Sequence, residues 1–160
     1  MWITVWITSL LGDNSKNMLL GEYKHNLDTK GRVAIPAKFR DKFISGAIVT
    51  RGLDRCLFVF GKAEWETLAQ KIISLPLAQS DSRAFARLML SGATDVELDS
   101  QGRILLPDSL RSYAGLKKEI VVTGMYTRVE LWDADTWNAY KTKTEGAADE
   151  IAEKLSEIGI

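Results

Sequence analysis

The sequence predicts a mixed α+β fold assembled from two internal repeats, and three observations predict it. First, Asp28 to Arg40 reads DTKGRVAIPAKFR and Asp99 to Arg111 reads DSQGRILLPDSLR. An offset of 71 matches Leu27/Leu98, Asp28/Asp99, Gly31/Gly102, Arg32/Arg103, Pro36/Pro107 and Arg40/Arg111, six identities in fourteen positions, where average composition gives roughly one. Second, the match continues at an offset of 72 through Ile48/Ile120, Val49/Val121, Gly52/Gly124, Phe60/Trp132 and Trp65/Trp137, so each copy covers about fifty residues. Third, short apolar runs bounded by turn residues are followed by longer stretches at helical spacing, the signature of strands and helices in succession.

Each copy reads as strand, tight turn, strand and helix start. In Asp28-Thr29-Lys30-Gly31 the Asp side chain can accept bonds from backbone amides ahead of it, and Gly tolerates positive φ. Val33 to Ile35 is a short apolar strand, and Pro36 suits the first turn of a helix. That helix is expected over Ala37 to about Phe43, with Phe39 and Phe43 on one face at i, i+4. Strands follow at Ala47–Thr50 and Cys56–Phe60, and in the second copy at Ile120–Thr123 and Val129–Trp132.

Between the copies, Lys62 to Leu75 has helical spacing with Trp65, Leu68, Ala69 and Ile72 on one side, and Pro76 stops it. Asp81 is a candidate cap for a second helix carrying Phe85, Leu88 and Met89. After the second copy a helix is expected to begin near Trp137. The tail from Gly146 to Ile158 is amphipathic: Ile151, Leu155 and Ile158 form a stripe opposite a largely acidic face. Such a stripe packs on the core or meets a neighbouring subunit.

The formal net charge of zero hides an asymmetry. Residues 18–60 hold eight Lys/Arg against four Asp/Glu, a net +4, whereas residues 61–160 hold twelve against sixteen, a net −4. A positive half is a pointer to a polyanionic partner. The single cysteine, Cys56, lies in an apolar strand and reads as core; the single histidine, His25, is too little for a metal cluster. The sequence contains no run approaching the ~18 apolar residues of a membrane span, and a cytoplasmic, reducing compartment is expected. No cofactor, metal or small-molecule substrate is expected.

From Met18 onward, MLLGEYKHNLDTKGRVAIPAKFR, with its D-x-x-x-R pattern at Asp28…Arg32 and again at Asp99…Arg103, resembles the MraZ family. These are bacterial transcriptional regulators built from two SpoVT-AbrB-like half-repeats. The resemblance covers Met18 to Ile160. It implies a pseudo-twofold, swapped-hairpin AbrB-like β-barrel with peripheral helices, the first repeat over 18–78 and the second over 79–160 in one compact pseudodimeric unit. It further implies a homo-oligomeric ring, association with the nucleoid, and repression through double-stranded promoter repeats of the division and cell-wall gene cluster. Residues 1–17 fall outside the resemblance. Their apolar run, Trp2 to Leu11, lacks the basic start and cleavage site of a signal peptide. They are expected to be a non-native extension upstream of a true start at Met18; the alternative is an extra strand, which their β-branched residues favour.

Strand–turn–strand readers present a hairpin to a DNA groove. Arg32 has the planar fork that pairs bidentately with guanine, and Lys30 is a point charge suited to phosphate. Thr29 and Lys24 in the first copy, and Arg103 with Gln101 in the second, complete the expected DNA-contacting set. Asp28, Gly31, Asp99 and Gly102 are expected to hold the turns. The alternative is that Asp28 and Arg32 merely bridge one another or a neighbouring subunit. Gln101 replaces Lys30, and Asp108-Ser109 replaces Ala37-Lys38, so the second hairpin is the less cationic. Three functions compete: a sequence-specific regulator, a ring-forming scaffold, and an enzyme. The last is disfavoured, because each Asp sits beside an Arg that keeps it ionised and no nucleophile–base pair or phosphate-cradling glycine loop is present.

Overall fold

The computed structural model describes residues 18–160, so the expectation for residues 1–17 lies outside the described residues. The strands are β1 (Leu19–Asn26), β2 (Arg32–Ala34), β3 (Ala47–Arg51), β4 (Leu57–Gly61), β5 (Thr94–Val96), β6 (Arg103–Leu105), β7 (Glu119–Tyr126) and β8 (Val129–Asp133). The helices are α1 (Lys62–Ile73), α2 (Ser80–Ser91), α3 (Asp108–Ala114), α4 (Ala134–Gly146) and α5 (Ala148–Leu155), with 3-10 turns at Ala37–Phe43 and Ser156–Ile158.

Six strands form one antiparallel sheet in the order β1-β7-β8-β4-β3-β5, and β2 pairs with β6 in a separate ribbon. Exchanging the two repeats maps this order onto itself, which is the pseudo-twofold relation. The first strand of each repeat has crossed to the other repeat: β1 pairs with β7 from Leu19↔Tyr126 to Asn26↔Glu119, and β5 pairs with β3 at Ala47↔Val96. The expected closed barrel is not formed by these strands. Among the described residues β1 pairs only with β7 and β5 only with β3, so these two end the sheet on opposite sides. The ribbon covers one face instead of closing the ring.

The central strands β3, β4, β7 and β8 are buried on both faces over most of their length, which is why they read as largely apolar runs rather than alternating ones, whereas the outer strands β1 and β5 are mostly exposed or half-buried. In β4, Leu57 and Val59 join a core with Val33, Ile35, Phe39, Phe43, Ile104 and Leu110, contributed by the ribbon and the two short helical segments after it. Phe58 and Phe60 point the other way, into a core with Ile72, Met89 and Trp132 against α1, α2 and α4. Period-two alternation therefore distributes one strand between two cores. Burying each large side chain contributes roughly 1.5–3 kcal/mol.

Some local expectations shift. The segment after Pro36 spans Ala37–Phe43 with Phe39 and Phe43 buried, but in the tighter 3-10 form. Asp81 does not cap α2; Gln79 holds the cap position, without a side-chain bond, and Asp81 lies in the first turn. Helix α4 starts at Ala134, directly after β8 and ahead of Trp137. The tail stripe does not pack on the core: Ile151, Leu155 and Ile158 are 39%, 38% and 70% exposed.

Candidate nucleic-acid interface

The two D-x-x-x-R segments fold into the same turn. Asp28 Oδ1 accepts bonds from the backbone N–H groups of Lys30 and Arg32, both at 2.9 Å, and Oδ2 accepts one from Arg32 Nε at 2.7 Å. Asp99 does the same for Gln101, Arg103 and Arg103 Nε at 2.9, 2.9 and 2.8 Å. The backbone closes each loop, with Asp28 N–H donating to Arg32 O and Gly31 N–H to Asp28 O, and the matching pair in the second copy. Gly31 and Gly102 sit at φ 83° and 75°, a region costly for residues with a β-carbon. One carboxylate thus folds the backbone and aims the guanidinium together. The backbone amide of Arg32, and then its side chain, holds the Asp28 carboxyl below the usual carboxylate range; Arg103 does the same for Asp99.

The ribbon brings the two turns side by side. Arg32 lies opposite Leu105, Val33 opposite Ile104 and Ala34 opposite Arg103. Val33 and Ile104 are fully buried, so alternation turns Arg32, Ala34, Arg103 and Leu105 outward. Further bonds lock the repeats, from Ile35 N–H to Gly102 O and from Leu106 N–H to Gly31 O, each 2.9 Å. The arginines stand diagonally on one face, and Arg103 Nη1 also approaches Asp28 Oδ2 at 3.8 Å. Their side chains keep 29% and 26% exposure. Among the described residues Arg32 makes no side-chain bond besides that from Nε, so its two Nη groups are free for an acceptor.

Thr29 and Lys30 are exposed at the first turn and Gln101 at the second. Lys24 is not brought to the ribbon: it pairs opposite Val121 in the large sheet and lines a groove with His25, Glu119 and Asn138. Burial, and then the charge of Arg40, pushes the His25 imidazole below its ordinary value. The stretch Lys38, Arg40, Lys42 does not act as one free patch. Arg40 turns inward to donate from Nε to Ile35 O at 2.9 Å, and Lys42 pairs with Glu64 at 2.5 Å.

The sequence reading missed the role of Arg40 and Arg111, although their identity at the repeat offset was visible. The Arg40 guanidinium covers Gly102, and Arg111 covers Gly31, where a β-carbon would meet Arg111 Cζ at 2.7 Å. Each turn is thereby lidded by an arginine of the other repeat. Arg111 is also paired with Asp108.

A family model described as "MraZ protein, putative antitoxin-like" matches residues 18–88 and again 89–157. The transcriptional regulator MraZ of Carboxydothermus hydrogenoformans is 51% identical over 138 residues, covering 86% of this chain and 96% of the relative. The protein of that name from Alkaliphilus metalliredigens is 48% identical over 143 residues, 89% of this chain and the whole relative. That of Desulforamulus reducens is 48% identical over 141 residues, 88% of this chain and 99% of the relative.

Proposed function

The chain belongs to the MraZ family, and from that premise we propose that it is a transcriptional regulator that binds specific double-stranded DNA through the β2–β6 ribbon. The observation that carries this reading is the outward pair Arg32 and Arg103, each pinned at Nε by its own Asp. A guanidinium held at Nε keeps its Nη edge in a fixed plane, the requirement for bidentate contact with guanine O6 and N7. Lys30, on the tip of the first turn, supplies a phosphate contact, with Thr29 beside it. Gln101 makes the second turn the weaker partner. Lys24, which stands opposite Val121 in the large sheet, is left out of this contact set. Asp28 and Asp99 act as positioning residues, not as acids or bases, and we read the protein as a binding module rather than an enzyme.

The targets of this reading are promoter repeats of the division and cell-wall gene cluster, with repression as the outcome and the nucleoid as the cytoplasmic site of action. The exchange of β1 and β5 between repeats supports a swapped-hairpin, pseudodimeric architecture for residues 18–78 and 79–160. The exposed stripe of α5 supports a homo-oligomeric assembly, a ring, in which several +4 reading halves act on one DNA by avidity. A scaffold without DNA affinity is the competing reading, favoured by the Arg103–Asp28 approach across the repeats.

Titration of fluorescent duplexes carrying the promoter repeats, against scrambled duplexes at graded salt, tests this. A regulator gives preferential binding that weakens steeply as salt rises, because bound phosphates release counterions. Equal, negligible binding of both duplexes at low salt leaves the scaffold reading.

A further inference from the structure

Resting on that reading of the ribbon, we propose that Leu105 is a specificity-determining residue, packing against the C5-methyl of a thymine next to the guanine contacted by Arg32. Leu105 is 57% exposed. Isolated apolar residues on a surface are ordinary, so its position has to carry the argument. It stands on the outward face of the ribbon, opposite Arg32 in register and on the same strand face as Arg103. Its neighbours in the chain, Ile104 and Leu106, are buried; Leu105 is turned away from the core they fill.

On a DNA base edge the apolar feature of the major groove is the thymine methyl. Residues opposite one another in an antiparallel pair have β-carbons about 4.5–5.5 Å apart, and stacked bases lie about 3.4 Å apart. A leucine opposite an arginine that reads guanine therefore reaches one or two base steps away. The groove beside Leu105 carries both signs of charge, Asp95, Glu97 and Asp108 with Lys30 and Arg111, and Arg111 is paired with Asp108. Lys30 there can hold a phosphate while Leu105, which offers only apolar contact, faces a base edge. The first repeat has Ala34 at the matching position, opposite Arg103, with a single carbon and a shorter reach. The reading face thus carries a long apolar side chain on one side of its pseudo-twofold and only a methyl group on the other.

Uracil lacks only the C5-methyl, and replacing the thymines of a promoter-repeat duplex one at a time by uracil isolates the contact. The wild-type protein is expected to lose about fourfold in affinity at one such thymine, the effect of one buried methyl group. Leu105→Ala is expected to bind the thymine and uracil duplexes alike. A wild-type protein indifferent to every replacement, while still preferring repeat over scrambled DNA, removes Leu105 as a reader and leaves the proposed function standing. Persistence of the uracil penalty in Leu105→Ala also overturns it. If that variant instead breaks up the assembly on size exclusion with the penalty intact, Leu105 is a subunit contact. Absence of any preference for repeat DNA in the wild type overturns the function and this inference together.

Discussion

Arg111 lies over Gly31, its guanidinium carbon 2.7 Å from where a β-carbon of that glycine would sit, and Arg40 covers Gly102 in the same way. Each glycine is thus needed for its positive φ and for the space it leaves to the other repeat. Gly31→Ala and Gly102→Ala are expected to destabilise the protein by roughly 1–3 kcal/mol each through the backbone alone, and by more through displacement of the arginine. Gly115→Ala separates the two effects, because Gly115 has φ 59° but nothing within 4 Å of an added carbon. Urea unfolding should find it the mildest of the three; equal losses would show that the lid contributes nothing.

Arg32→Ala should remove specific binding, at a cost of roughly 1–3 kcal/mol of discrimination, while the fold and assembly persist. Arg103→Ala should cost less, since its turn carries Gln101 in place of Lys30. Anisotropy titrations with repeat and scrambled duplexes, with size exclusion on each variant, measure both. Wild-type affinity in Arg32→Ala would exclude the ribbon as the reader and, since Arg40 and Lys42 are already engaged, leave Lys38 as the free cation of that stretch.

Lys30→Ala should weaken binding to every sequence alike and reduce the salt slope by about one. A loss confined to the repeat duplex would instead make Lys30 a base contact.

The turns should also report on pH. Because Asp28 and Asp99 are held below the usual carboxylate range by bonds that exist only in the folded turn, their contribution is complete above the unfolded value, about 3.9. It is lost as pH falls through the lower folded values. Stability measured by denaturant between neutral pH and pH 3 should therefore fall less steeply in the Asp28→Asn, Asp99→Asn double variant than in the wild type. Parallel curves would mean that the carboxylates fold the turn no better than amides.

Helix α5 has no buried residue, and ending the chain after Gly146 should change unfolding free energy by no more than about 0.5 kcal/mol. A larger loss measured by urea at low protein concentration would show that the Ile151–Leu155 stripe is covered within one chain. A changed elution volume at unchanged stability would place that stripe between chains.

What was legible in the sequence was mostly local. Asp28 to Arg32 is a self-contained hydrogen-bonded turn, so its geometry follows from five residues and reappears wherever they are repeated. The helical face of α1 followed from spacing in the same way; Phe39 and Phe43 are both buried, but on a 3-10 segment rather than the α-helix their spacing suggested. Strand exchange was different: nothing in LLGEYKHN identifies a partner at Glu119–Tyr126, because pairing is decided by tertiary packing. The open sheet, where a barrel was expected, is a consequence of those distant choices. Charge counting pooled all eight cations of residues 18–60, and Lys24 stood among the expected contacts, but composition does not reveal that Arg40 bonds Ile35 O or that β1 carries Lys24 into the large sheet. Leu105 was visible only as one apolar letter; its register opposite Arg32 gives it meaning.

The pairing of Leu19 with Tyr126 and of Asn26 with Glu119 also has a temporal side. On the ribosome β1 emerges long before its partner is synthesised, so the edge that will pair with β7 stays open while β2 to β6 are made. Pairing across so much intervening chain raises contact order, which slows folding relative to helical bundles. Until β7 arrives, that edge is open to other nascent chains, and the interval of greatest exposure to misassembly ends only when the second repeat has been translated.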